Sequence, residues 1–215
     1  MSLKKYTAEF IGTFFLVLTI CMITFSKVSA DIQPIAIGLM LTALIYSKGF
    51  ISGAQFNPAI SLAFLLRGRM TIKEASIYTI THFAAAFAAA LMTGVLISGK
   101  PPVAPLMAAP QFFSMIPAIL AEIMGTFLLG LVILNVATSK SLEGNSFYGM
   151  AIGFTVTGLI FTFGSVTGSC LNPAVALASC VTKLSSWSNL WIYIVGDLAG
   201  GALSAIVWKY INADE

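Results

Sequence analysis

Ser52-Gly53-Ala54-Gln55-Phe56-Asn57-Pro58-Ala59-Ile60 and, 115 positions later, Thr167-Gly168-Ser169-Cys170-Leu171-Asn172-Pro173-Ala174-Val175 carry the same message. Asn is a strong helix N-cap, because its side-chain oxygen accepts a first-turn N–H. Pro suits the first helical position, where φ is already set and no donor is needed. Small and apolar residues follow each Asn-Pro-Ala. Each copy therefore predicts a Gly-containing loop feeding a short helix. From Pro58 the apolar run ends at Leu66, before Arg67. Nine helical residues rise roughly 14 Å, about half of a ~30 Å hydrocarbon core.

The surroundings of the two copies make this a membrane reading. Of 215 residues, 58% are hydrophobic and 9% charged. Soluble domains carry about 25% charged residues. The fold class expected is an all-α integral membrane protein with six transmembrane helices plus two re-entrant half-helices. Irregular backbone at membrane depth persists only where protein buries it or water reaches it. Two half-helices starting inside the membrane thus predict a polar path between them. The net charge of +3 is small and scattered, so no nucleic acid is expected. Cys21, Cys170 and Cys180 lie in apolar stretches without metal-ligand spacing, so neither a metal nor another cofactor is expected.

Outward from the paired motif, spans are predicted at Tyr6–Ser26, Pro34–Phe50, Ala75–Ser98, Met115–Thr138, Phe147–Gly164 and Leu190–Lys209. A signal peptide is the competing reading of the first segment. Glu9 interrupts it, however, and Ala8-Glu9-Phe10-Ile11-Gly12-Thr13 recurs as Ala121-Glu122-Ile123-Met124-Gly125-Thr126. Each half then holds three spans and a half-helix. The first repeat is placed at 1–105 with half-helix 58–66, and the second at 106–215 with half-helix 173–182. The Pro-containing stretch Lys100–Gln111 joins them. An odd number of spans per half inverts the second repeat relative to the first. With both termini cytoplasmic, eight of the eleven basic residues fall inside and three outside. Compact loops point to a prokaryotic plasma membrane.

These stretches, with the closing Trp191-Ile192-Tyr193-Ile194-Val195-Gly196, resemble the aquaporin/major intrinsic protein family over nearly the whole chain. The resemblance implies one pore per protomer, a homotetramer in membrane lipid, and passage of water and small neutral solutes. It implies that Asn57 and Asn172 mark the pore centre. Carbonyls of Gly53, Ala54, Gln55, Gly168 and Cys170 would line the path, and Glu9 and Glu122 would brace the two loops. The aligned half-helix dipoles place partial positive charge at the centre, which repels cations.

Carried over by spacing, the selectivity filter falls on Ile37, Ile160, Ser169 and Val175. Most family members have Arg where Val175 stands, and water-selective ones usually have Phe and His at the first two positions. The filter expected here is apolar, wide and uncharged, with Ser169 as its side-chain donor. That points to glycerol, urea or neutral metalloid hydroxides beside water. His82 and Asp197, paired in the repeat, are candidates for pH sensing. Each could instead hydrogen-bond the neighbouring half-helix loop. A secondary transporter is the alternative function, since it uses the same inverted repeats and would enlist Glu9, Glu122 and Asp197. No nucleophile–base pair suggests an enzyme.

Overall fold

The computed structural model describes residues 3–26, 28–98 and 114–215. The helices are α1 (Leu3–Thr24), α2 (Gln33–Ser52), α3 (Pro58–Arg67), α4 (Ile72–Ile97), α5 (Met115–Thr138), α6 (Tyr148–Thr167), α7 (Pro173–Val181) and α8 (Leu190–Ile211). Six of them are long and apolar enough to cross a membrane; α3 and α7 are the two short ones. The connector at Lys100–Gln111, and with it the boundary between the two repeats, lies outside the described residues.

Local chemistry sets the ends. Asn57 and Asn172 cap α3 and α7 in extended conformation, each Oδ1 accepting from the N–H two residues on. The first half-helix runs one residue beyond the expected 58–66, because Gly68 in left-handed conformation closes it after Arg67. The second stops at Val181, one residue short of 182, where Thr182 serves as its C-cap. The span expected from Ala75 begins at Ile72. There Thr71 and Glu74 form a capping box, with Glu74 N–H on the Thr71 hydroxyl at 3.2 Å. Helices α2 and α6 end on Gly53 and Gly168, with φ of 88° and 85°.

The packing is reciprocal. Helix α1 packs on α4 as α5 packs on α8, and α2 packs against α6. Each half-helix also packs on the last span of the other half, α3 on α8 and α7 on α4. Ala85, Ala86, Ala89 and Ala90 are buried on α4. Such small residues let helices approach closely where the surrounding lipid provides little hydrophobic drive. Large apolar side chains such as Phe154, Phe161 and Ile206 are exposed on the outside, as a hydrocarbon solvent allows.

Candidate functional site: a lined passage between two half-helices

The two Asn-Pro-Ala helices meet start to start. Asn57 Nδ2 donates to the Leu171 carbonyl at 2.7 Å, and Asn172 Nδ2 donates to the Phe56 carbonyl at 3.0 Å. Each Oδ1 is committed to its own cap, on Ala59 N–H at 2.8 Å and Ala174 N–H at 3.0 Å. An amide nitrogen carries two hydrogens. One is spent across the junction.

The loops before each Asn have matching backbones. Ala54 and Phe56 have φ of 48° and 52°; Ser169 and Leu171 have 53° and 51°. Left-handed non-glycine residues cost of order 1 kcal/mol each. A buried carboxylate holds each loop in that shape. Glu9 accepts Gln55 N–H at 3.1 Å and Phe56 N–H at 2.8 Å. Glu122 accepts Cys170 N–H at 3.2 Å, Leu171 N–H at 2.8 Å and the Thr167 hydroxyl at 2.5 Å. The N–H side of each loop is thereby turned towards the helices behind it. The Gly of each Ala-Glu-x-x-Gly-Thr has a packing reason: a Cβ on Gly12 would strike the Phe56 ring, and one on Gly125 would strike Leu171.

In front of the loops runs a cavity of about 740 Å³. Gly53, Ala54, Gln55, Asn57, Gly168, Ser169, Cys170 and Asn172 line its middle. Ile37, Ile160 and Val175 line it too, at 2%, 6% and 3% exposure, where α2 begins and α6 ends. The opposite mouth lies at the other ends of those helices, near Phe50 and Tyr148. Every filter and carbonyl position chosen from sequence thus falls on one cavity wall. Glu9, Glu122, His82 and Asp197 are fully buried and stand off that wall.

Some positions differ from expectation. Ser169 Oγ donates to the Leu159 carbonyl at 3.3 Å, so its proton is taken, and the hydroxyl is not the free donor expected. His82 reaches its loop through Glu9, with Nε2 and Oε2 2.9 Å apart. Asp197 accepts the Thr126 hydroxyl at 3.0 Å and the Asn172 backbone N–H at the start of the second half-helix.

Sequence reading also missed residues. Leu16 and Ile20 on α1, with Leu129 and Ile133 on α5, complete the apolar wall. Their signal was available, because they continue the inward stripes begun by Glu9 and Glu122 at helical spacing. The mouth near Tyr148 was less legible: Arg69, Lys140, Glu143 and Asn145 line it, from loops separate in sequence. Arg69 Nη2 ties two of those loops together on the Thr138 carbonyl at 2.8 Å. Gln55 is held by the Ser61 hydroxyl on its Oε1 at 2.6 Å.

The family profile described as Major intrinsic protein matches residues 1–208. Glycerol uptake facilitator protein-like 6 of Lactiplantibacillus plantarum is 33% identical over 218 residues, covering 99% of this chain and 100% of its own. A probable aquaporin NIP-type of Nicotiana alata is 31% identical over 224 residues, covering 99% of this chain and 79% of its own. The crystal structure of the aquaglyceroporin from Plasmodium falciparum superposes with a TM-score of 0.79 at 21% identity, over 96% of this chain and 94% of that one. The chain belongs to the major intrinsic protein family, and is a passive membrane channel for water and small solutes.

Proposed function

We propose that the channel passes small uncharged solutes larger than water, with glycerol, urea and neutral metalloid hydroxides as the class, and water beside them. The observation that carries this reading is Val175 on the cavity wall together with Ile37 and Ile160. At that end the wall offers three branched apolar side chains and the oxygen of Ser169. The cationic side chains on the cavity wall, Arg69 and Lys140, stand at the other mouth.

A solute with hydroxyls and lone pairs can exchange its hydration shell stepwise. It meets the free amide hydrogens of Asn57 and Asn172 at the centre and loop acceptors on either side, while the apolar wall takes its carbon face. A cation meets the positive ends of two half-helices and recovers little of its hydration energy. The passage works without coupling, because Glu9 and Glu122 are engaged with loop amides, Asp197 with the Thr126 hydroxyl, and all three stand off the wall. We further propose that both termini are cytoplasmic, in a prokaryotic plasma membrane, and that protomers assemble as a homotetramer, each with its own passage.

The test is stopped-flow light scattering on proteoliposomes with water, glycerol, urea and an uncharged metalloid hydroxide. Val175→Arg should suppress solute flux by tenfold or more while water flux persists. Rapid water flux without solute flux in the unmodified protein would sink the wide-filter reading. Solute flux that follows a proton or sodium gradient would favour a coupled transporter.

A further inference from the structure

A second concavity lies on the outer surface, on the far side of the half-helices from the passage. It encloses about 610 Å³ between α4 and α8. Its floor is Pro58 and Pro173, the first residues of the two half-helices. Its walls include Leu62 of α3, Ile72 and Ile80 of α4, and Leu198 of α8. Helix α4 packs on α1, α3 and α7, and α8 on α5, α3 and α7, so the half-helices stand between these two spans and leave an outward groove above their starts.

The groove extends to one side only. On α4 it runs from Phe83, beside the prolines, to Ile72 at the helix start. Eleven residues of helix rise roughly 16 Å, about half of a ~30 Å hydrocarbon core and thus the depth of one leaflet. The repeat explains the asymmetry. At the 115-residue offset, Ala75 and Ser76 correspond to Leu190 and Trp191. The first half has small residues, and the groove continues along them. The second half has bulky ones, and the lining on α8 begins only at Ile194.

We propose that this groove holds one acyl chain of an anionic phospholipid from the leaflet on the side of Lys73, with its methyl end against Pro58 and Pro173. Hydrocarbon suits the groove, because it opens on the outer face of membrane-spanning helices. An extended peptide would bring backbone N–H and C=O groups needing partners, and a helix of a second copy, about 10 Å across, is too wide for a slot lined by Ala75 and Ser76. The wall answers with helices whose backbone is already bonded, and the Ser76 hydroxyl is itself turned onto the Ile72 carbonyl at 2.9 Å. At the open end Lys73 is exposed next to Ile72. The neighbouring cation Lys5 is paired with Glu74 at 3.7 Å, which leaves Lys73 facing a headgroup phosphate.

The test uses the full chain in liposomes containing a phospholipid with a photoactivatable diazirine near the acyl terminus. Adducts are mapped by mass spectrometry after illumination. They should concentrate on peptides carrying Pro58–Leu65 and Ile194–Leu198, several-fold above the exposed apolar Ile206 on the same helix as Ile194. Ser76→Trp copies the residue that the second half already accommodates, and should remove most groove adducts while sparing Ile206. Ala75→Leu, copying Leu190, is the milder second variant, and water flux reports folding of both. A diazirine lipid with a phosphatidylglycerol headgroup should label the groove about fivefold more than its phosphatidylcholine counterpart, and Lys73→Gln should erase that difference. Uniform labelling, or groove labelling unchanged by both filling variants, would overturn the proposal. So would efficient cross-linking of Ser76→Cys to a second copy, which would make the groove a protein interface.

Discussion

Asn57 and Asn172 each donate to the backbone carbonyl just before the other, Asn57 to Leu171 at 2.7 Å and Asn172 to Phe56 at 3.0 Å. This reciprocal exchange joins the two half-helices at their starts. Capping and the joining of the two half-helices are therefore two duties of the same pair of side chains, and solute contact is the third that we propose for them.

Asn57→Ala should remove a cap worth about 1 kcal/mol and leave the Leu171 carbonyl unpaired, at about 1–3 kcal/mol more. Thermal unfolding in detergent should show a lowered Tm for Asn57→Ala and for Asn172→Ala. The double variant should lose less than the sum, because the two bonds maintain one junction. Strict additivity would mean that the half-helices are held apart from this exchange.

Glu122→Gln keeps the shape of the side chain but replaces one acceptor oxygen by an NH₂. That group would confront a backbone N–H of Cys170 or Leu171, both of which now donate to the carboxylate. A loss of about 2–3 kcal/mol is expected, the scale of hydrogen bonds to a charged group. The same holds for Glu9→Gln against Gln55 and Phe56. Solute flux should fall with stability, since the left-handed loop residues lose their support; a variant with full flux and unchanged Tm would refute the bracing role.

Cys170 borders the cavity and Cys21 and Cys180 lie off its wall, but all three cysteines are buried, and the Cys170 thiol is turned towards Ser179 behind the loop. A small neutral mercurial should therefore leave water and solute flux unchanged. Rapid block that Cys170→Ala abolishes would show instead that this thiol reaches the passage.

Glu215 accepts the Ser139 hydroxyl at 2.5 Å and the Lys140 N–H at 2.9 Å, and these donors hold its carboxyl down at about 2. Because the folded value is depressed, the latch contributes fully above the ordinary carboxylate value of ~4.3 and is lost as pH falls towards about 2. Lys140 lines the passage mouth, so loosening should register there. Amide exchange at Lys140 and Ser141, corrected for intrinsic rates, should accelerate on acidification, and Glu215→Gln should show that faster exchange already at neutral pH.

What the sequence by itself determined is what acts over a few residues or a single helix. Asn-Pro-Ala specifies a capped helix start wherever it sits, and hydropathy over some twenty residues specifies a span. Hence α3 and α7 began at the residues expected, and the start of α4 moved by a cap: the Thr71–Glu74 box brought it forward to Ile72. Tertiary structure decided what depends on residues far apart in the chain. The Asn57–Leu171 bond joins positions 114 apart, and the Tyr78 hydroxyl on the Ser52 carbonyl at 2.8 Å has its counterpart in Tyr193 on Thr167 at 2.9 Å. Whether Ser169 offers a proton or a lone pair depended on the Leu159 carbonyl beside it. Likewise, Ala75 and Ser76 are unremarkable in sequence, and only the separation of α4 from α8 turns their small size into a groove. Local propensity acts through neighbouring backbone atoms; which side chains share a cavity follows from how the helices pack, and no single segment encodes that.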